Sequence, residues 1–180
     1  MTRFTLSLIA TAGLALSAAA VAGEGAAGAG GAEASLRNAQ GQVVGEARAY
    51  RAGGVVRVRL TVRGFVPGTH GVHLHETGRC DAPAFAGAGP HWNPAGTAHG
   101  RLNPHGPHAG DLPNLQVQTN GAGRIEFDIP VPAGTAADAN PLLDADGTAV
   151  VIHAAADDER TDPAGNSGAR IACGVLAPVR

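Results

Sequence analysis

Six histidines and one aspartate are of types and spacings that suit metal binding. They are His73, His75, His91, His99, His108, Asp111 and His153. His73 and His75 are two residues apart on a predicted strand, so their side chains leave the same face and both imidazoles can reach one ion. An all-imidazole set suits Cu(II), which prefers nitrogen in a roughly square arrangement, whereas three imidazoles and a carboxylate suit four-coordinate zinc.

Half of the eight histidines lie in one long segment without a strand pattern, residues 77–113. Four potential ligands in it are separated by 8, 9 and 3 residues: His91, His99, His108 and Asp111. Connections of this length are usually functional or disordered, and metal ligation would hold this one in shape. His105 is a competing zinc ligand that the spacing disfavours. A second segment without strand pattern spans residues 157–170.

The elements that must position these ligands are short strands. In residues 55–63, valine and leucine alternate with arginine and threonine, which is the period-two pattern of a half-buried strand. Glycines at 53, 54 and 121 mark hairpin turns. The predicted strands are 34–38, 42–50, 55–63, 71–75, 115–119, 125–129, 149–153 and 174–177. No long segment has helical periodicity, so we predict an all-β sandwich or flattened eight-stranded barrel with two long functional loops.

The first 22 residues have the layout of a secretory signal peptide. Arg3 precedes an apolar stretch that ends in the cleavage pattern Ala20-Val21-Ala22. A membrane anchor is the alternative, but the stretch is barely long enough to span a bilayer and has no basic flank to stop transfer. We expect a periplasmic or secreted protein, without membrane contact after cleavage. Its regions would be a signal peptide over 1–22, a flexible Gly/Ala-rich lead-in over 23–33 and one domain over 34–180.

Charge and cysteine content limit the remaining classes. The formal net charge is −2, and every one of the 13 basic residues is arginine, without a basic tract. Nucleic acid is therefore not expected as a partner. The two cysteines, Cys80 and Cys173, most simply form one disulfide in an exported chain.

Five strings of residues resemble the copper/zinc superoxide dismutase family. They are His70-Gly71-Val72-His73-Leu74-His75-Glu76, Gly89-Pro90-His91-Trp92-Asn93-Pro94, His108-Ala109-Gly110-Asp111-Leu112, Val151-Ile152-His153 and Arg170-Ile171-Ala172-Cys173-Gly174-Val175. The resemblance covers residues 34–180. It implies a Greek-key β-sandwich, one copper and one zinc ion per chain, and superoxide as the substrate. Family members include monomers and dimers, so a homodimer stays an open alternative.

The resemblance also implies a role for each matching residue. The copper ligands would be His73, His75, His91 and His153. The zinc ligands would be His91, which bridges the two ions, together with His99, His108 and Asp111. Asp157 would link a copper-ligand and a zinc-ligand histidine without binding either metal itself. Arg170 would dock the anion, and Cys80 would pair with Cys173. His70 matches a histidine with a structural role.

The implied reaction is the disproportionation of superoxide into dioxygen and hydrogen peroxide. Copper would alternate between two oxidation states, and His91 would be protonated on reduction and return that proton to the peroxide. The chain departs from the animal cytosolic form in two places. The segment from Cys80 to His91, with Pro83 and Phe85, is longer, and the loop from Asp157 to Arg170 is shorter.

Two other functions compete with a dismutase. A non-enzymatic periplasmic copper/zinc-binding module would explain the histidines, but it gives no reason for Arg170 or for a bridging His91. A zinc hydrolase needs an open zinc position, whereas His91, His99, His108 and Asp111 fill all four.

Overall fold

The structure, a computed structural model, describes residues 31–131, 133–135, 142, 144 and 146–179. The strands in this part of the chain are β1 (Ala32–Asn38), β2 (Val43–Ala52), β3 (Val55–Val62), β4 (Gly68–His70), β5 (Val72–His75), β6 (Leu115–Val117), β7 (Gly123–Pro130), β8 (Thr148–His153) and β9 (Arg170–Pro178). The predicted signal peptide and most of the predicted lead-in lie outside the described residues. Strand β1 begins two residues before the predicted start of the domain.

All of these strands pair antiparallel in one sheet, in the order β4-β6-β7-β3-β2-β1-β9-β8-β5. The two edge strands, β4 and β5, are separated only by Gly71, so the sheet curls into a nearly closed barrel. Strands β4, β6 and β7 are neighbours in the sheet, and β3, which precedes all three in the chain, lies on the far side of β7, which is a Greek-key arrangement. The predicted all-β barrel is confirmed.

The described residues contain nine strands where the sequence pattern predicted eight. The additional one is β4, which has three residues and pairs with β6, whereas β5 pairs with β8. Gly71 separates them because its backbone bonds to the end of β8 and to the residues that follow it: its N–H donates to Ala155 O and its carbonyl accepts from His153 N. A pattern of three residues is too short to show period-two alternation.

The alternation predicted for β3 is confirmed. The side chains of Val56, Val58, Leu60 and Val62 are buried in the core. Arg57 and Arg59 lie on the outer face, where they pair with Asp128 and Glu126 of β7. Complete burial of an aliphatic side chain contributes about 1.5–3 kcal/mol, so such alternating strands account for much of the core.

Strands β5 and β8 differ from β3 because they are buried on both faces. The two long loops, which run from Glu76 to Asn114 and from Ala154 to Ala169, cover the outside of these strands. Histidines on β5 and β8 are therefore enclosed between the barrel and the loops. In the described part of the chain, no helix is long and apolar enough to cross a membrane.

Candidate metal centre

Two neighbouring strands carry the first three histidines. His73 and His75 lie on β5, and β5 is paired with β8, which ends at His153. The ring centroid of His153 lies 4.7 Å from that of His73 and 6.1 Å from that of His75. The spacing of two residues on β5 thus places the rings of His73 and His75 on the same side of the strand, near the ring of His153.

The first loop adds His91 and Asp111 to this strand pair. Its backbone lies along β5, with His91 opposite His75 and Asp111 opposite His73. The backbone of Leu74 bonds to both of these parts of the loop: its carbonyl accepts from Trp92 N at 2.8 Å, and its N–H donates to Gly110 O at 2.9 Å. A Cβ atom at position 110 would collide with the Leu74 carbonyl, so this close approach requires glycine.

The first cluster consists of four buried histidines. His73, His75, His91 and His153 each offer a ligand atom, and these atoms lie within 4.8 Å of one another. His75 Nδ1 donates to Gly89 O at 2.8 Å and His153 Nδ1 donates to Gly168 O at 3.0 Å. These bonds leave the other nitrogen of each ring as an acceptor.

Three ring nitrogens in this cluster are buried without a hydrogen-bond partner among the described residues. They are His73 Nδ1, His75 Nε2 and His153 Nε2. Buried polar atoms are normally paired, so three orphaned lone pairs in one cluster need a common partner. A copper ion fits this set, because all three donors are imidazole nitrogens.

The second cluster surrounds the carboxylate of Asp111. Its Oδ1 lies 2.9 Å from Nδ1 of His91, 3.1 Å from Nδ1 of His99 and 3.2 Å from Nδ1 of His108. Its Oδ2 accepts from the backbone N–H groups of Gly100 and His108, both at 2.9 Å. Three imidazole nitrogens and one carboxylate oxygen that converge in this way fit a tetrahedral zinc ion.

Two side chains connect the clusters. The His91 ring lies between them, with its centroid 3.9 Å from that of His73 and 5.2 Å from that of His99. Asp157 accepts from His73 Nε2 at 2.7 Å and from His99 Nε2 at 3.0 Å. Because of this proximity His73 also falls within 4.8 Å of the ligand atoms of His91, His99 and Asp111. The His73 Nε2 atom already donates to Asp157, so we group His73 with the first cluster.

Asn114 holds the backbone of Asp157 and was missed by the sequence analysis. Its Oδ1 accepts from Asp157 N at 2.8 Å and its Nδ2 donates to Asp157 O at 2.9 Å. The amide therefore fixes the position of the second loop relative to the start of β6. No ligand-type motif includes an asparagine here, so the sequence contained no signal for this role.

Burial keeps the histidines of the first cluster neutral. It lowers the pKa of His73 to about 3, of His75 to about 2 and of His153 to about 4. Burial also lowers the pKa of His91, against the opposing effect of Asp111. Neutral imidazole is the form that binds metal, so these shifts favour ligation.

The carboxyl groups of Asp111 and Asp157 stay ionised. Burial alone would raise their pKa values, but hydrogen bonds from the histidines hold the pKa of Asp111 and of Asp157 well below the usual range. Burial lowers the pKa of His99, yet its bonds to both carboxylates outweigh burial and raise that pKa to about 9. The ionised carboxylates thus stabilise a positive charge at the second cluster, here that of protonated His99.

A cavity of about 590 Å³ opens onto the first cluster. His91, His153 and Arg170 line it together with the acidic residues Glu76 and Asp162. Arg170 is the first residue of β9 and is paired in register with His153. The sequence pattern predicted that this strand begins only at residue 174. The guanidinium is partly buried, and burial lowers its pKa from the usual high value.

The remaining predicted residues lie as follows. Cys80 and Cys173 form a disulfide with a Cα–Cα distance of 5.6 Å, which confirms that bridge and attaches the first loop to β9. His70 is buried between Val66 O and His153 O, so it has the structural role predicted for it. His105 is exposed. Neither His105 nor His108 is in the two groups of potential ligands found among the described residues, but His108 is buried and its Nδ1 lies 3.2 Å from Asp111 Oδ1.

A nearly closed Greek-key barrel with one histidine-rich cluster for copper and an adjoining one for zinc defines a class of two-metal β-barrel proteins. Comparison with known proteins identifies the family. The profile described as copper/zinc superoxide dismutase (SODC) matches residues 39–176. The chain therefore belongs to the copper/zinc superoxide dismutase family, and its two clusters match the copper and zinc sites of that family.

Individual relatives agree with the profile. The protein named superoxide dismutase (Cu-Zn) 2 of Aquifex aeolicus is 42% identical over 146 residues, which are 81% of this chain and 85% of the relative. The Caulobacter vibrioides superoxide dismutase (Cu-Zn) is 45% identical over 123 residues, or 67% and 71% of the two chains. A solved structure of a double mutant of a SOD-like protein from Bacillus subtilis has a TM-score of 0.74 at 40% identity, covering 82% of this chain and 98% of that one.

Proposed function

We propose that this chain is a superoxide dismutase, which converts two superoxide anions and two protons into dioxygen and hydrogen peroxide. One observation carries the proposal: orphaned imidazole nitrogens and a cationic arginine belong to the same site. His153 and Arg170 both line the cavity, and His153 Nε2 is one of the three unpartnered nitrogens. A metal carrier needs the nitrogens only, whereas an enzyme that acts on a small anion needs the positive charge as well.

The proposed ligand sets follow from the free ring nitrogens. Copper would be held by His73 Nδ1, His75 Nε2, His153 Nε2 and His91. Zinc would be held by His91, His99, His108 and Asp111, with one ion of each metal per chain. When bound, copper supplies one-electron redox chemistry and zinc, which has none, orders the loop.

Arg170 would dock the superoxide anion. Its guanidinium is fixed by two loop carbonyls, since Nη1–H donates to Phe85 O at 2.8 Å and Nη2–H donates to Gly89 O at 2.7 Å. Arginine keeps its charge despite partial burial, and its remaining N–H groups are free to orient a diatomic anion. Partial burial of the guanidinium strengthens this attraction relative to bulk solvent.

His91 would hold and deliver a proton. It lines the cavity and its Nδ1 lies 2.9 Å from Asp111 Oδ1, so the ring keeps its orientation while Nε2, whenever it is not bound to copper, is the nitrogen that can carry a proton. Peroxide leaves as a neutral molecule only after it has gained protons, and His91, which lines the same cavity as Arg170, would donate one of them. Asp157 would support this step from a distance, because it orients His73 on the other side of the ring.

Substitutions of Arg170 test the docking role. Arg170→Glu reverses the local charge, so it should keep both metals but lose much of the superoxide turnover. Arg170→Lys keeps the charge without the planar fork and should lose less. Metal content and turnover would be measured together at low and high salt, and the electrostatic part of the loss should shrink as salt screens it. Full turnover in fully metallated Arg170→Glu protein would exclude this role.

The compartment follows in part from the disulfide. Structural disulfides persist in oxidising environments, so the Cys80–Cys173 bridge and the bacterial family members suggest an extracytoplasmic location. We further propose that residues 1–22 direct export and are removed. Mass spectrometry of protein from the periplasm or medium should then find an N-terminus at or near Gly23. Full-length protein that stays in the cytoplasm would contradict export.

A further inference from the structure

Phe85 has a backbone conformation that bulky side chains rarely adopt. Its φ of 53° and ψ of 27° lie in the left-handed region, and its side chain is only 2% exposed. Left-handed conformations are costly for residues with a Cβ atom, and a buried aromatic ring has no local hydrogen bond to offset that cost. Such strained residues persist only where the surroundings determine them, and they cluster at functional sites.

The carbonyl of Phe85 is one of the two that hold Arg170. Phe85 immediately precedes the short 3-10 turn Ala86–Ala88, and Gly89 immediately follows it. The Phe85 carbonyl accepts from Nη1 of Arg170, and the Gly89 carbonyl accepts from Nη2. The position of the guanidinium therefore depends on how this one turn is placed against β9.

The ring of Phe85 fixes that placement. It packs in a small cluster, separate from the main core, with Ala88 from the turn itself, Ala149 and Val151 from β8, and Cys173 from β9. Cys80 packs against the same cluster and is bonded to Cys173. The backbone N–H of Phe85 also donates to Asp81 O at 2.8 Å. The turn is thus held on the barrel by the buried ring of Phe85 and by Ala88, beside the disulfide.

We propose that Phe85 is a positioning residue for Arg170: its buried ring secures the loop carbonyl that aims the guanidinium at the anion. This inference rests on the proposed function, because it assigns Phe85 a role only through the docking role of Arg170. Without the ring, only Ala88 of the turn would still pack against β8 and β9, and the Phe85 carbonyl would no longer be held against Nη1. The Gly89 carbonyl, which also accepts from His75 Nδ1, would remain, so Arg170 would be misdirected rather than released.

Azide, a small anion that binds Cu(II), is the probe for this role. It would be titrated into copper- and zinc-loaded protein by absorbance, for the wild type and for Phe85→Ala, Phe85→Leu and Leu60→Ala. Leu60 is fully buried in β3, in the main core, and is the control for the loss of a large core side chain. Each protein would also carry Arg170→Ala in a second series, which makes a double-mutant cycle.

We expect Phe85→Ala to weaken azide binding about tenfold, because a displaced charge no longer faces the anion, and Phe85→Leu to weaken it less. Leu60→Ala should lower the unfolding temperature without changing the azide affinity. In the Arg170→Ala series, Phe85→Ala should leave the azide affinity unchanged, since the group that it positions is gone. Phe85→Leu serves the same cycle if Phe85→Ala does not fold.

Two results would overturn the positioning role. One is an azide affinity that Phe85→Ala and Phe85→Leu leave at the wild-type value although both lower the unfolding temperature. The other is a loss of affinity of equal size in the presence and in the absence of Arg170. A wild-type protein that binds azide no better than its Arg170→Ala variant would instead overturn the docking role itself, and with it the proposed function on which this inference rests.

Discussion

Asp157→Asn is a conservative change at the residue that connects the two clusters. The carboxylate accepts from His73 Nε2 at 2.7 Å and from His99 Nε2 at 3.0 Å, one ring from each cluster. An asparagine of the same size has one acceptor oxygen and one NH₂ donor. It can satisfy only one of the two rings, because the other would meet a donor with its own N–H.

The expected magnitude follows from that single lost bond. A hydrogen bond to a charged group contributes about 1.5–3 kcal/mol, and 1.4 kcal/mol corresponds to a factor of ten, so the affinity of the mispaired site should fall about 10- to 100-fold. The single asparagine oxygen should keep the shorter bond, to His73, and leave His99 unpaired. The bond to His99 is the longer of the two, and the other nitrogen of that ring already faces Asp111. We therefore expect zinc affinity to fall more than copper affinity.

Competition with chromophoric chelators would measure both affinities in Asp157→Asn protein. The matched control is Asp158→Asn, the adjacent carboxylate, which is exposed and bonds to Thr161 and Asn166 within its own loop. That control should bind both metals as the wild type does. Unchanged zinc and copper affinities in Asp157→Asn, or equal losses in Asp158→Asn, would refute the view that Asp157 organises the two sites.

Two further predictions concern the clusters. His99→Ala and His108→Ala should each lose zinc while His105→Ala retains it, as measured by metal analysis after dialysis; loss of zinc from His105→Ala alone would show that the ligands were assigned in the wrong register. Protein stripped of metal by chelators should be most stable near pH 6.5. His153, whose pKa is lowered to about 4 by burial, contributes stability of about 3 kcal/mol that is present above pH 6.5 and lost as the pH falls. His99, whose pKa is raised to about 9, contributes stability that is lost as the pH rises towards 9. Thermal unfolding between pH 4 and 9 would check this, and stability that increases below pH 6 would contradict it.

The barrel was largely predictable because strand faces are encoded in side-chain alternation. The pattern of β3 and the glycine turns were sufficient to outline the β2–β3 and β6–β7 hairpins. The start of β9 was not predictable in the same way. The segment from Arg170 to Cys173 pairs with β8 through backbone register, and its side chains lie partly under the first loop, so it has no period-two pattern.

The residue types of the two clusters could also be predicted from the sequence, since histidine and aspartate are the side chains that suit these metals. The supporting contacts could not, because they are mostly made by backbone carbonyls. Gly89 O accepts from both His75 and Arg170, and Phe85 O accepts from Arg170. Every residue has a carbonyl group, so only the folded loop determines which ones meet a side chain.

Superoxide turnover by the copper- and zinc-loaded wild-type protein tests the central claim most directly. Superoxide would be generated in a pulse at large excess over protein, and its decay would be followed while copper and zinc content are determined on the same sample. The dismutase account predicts that each copper-containing chain removes many superoxide anions, in proportion to bound copper, and that peroxide and dioxygen form in equal amounts. Superoxide decay no faster than the uncatalysed reaction, in protein with both metals fully bound, would contradict it and favour a metal carrier.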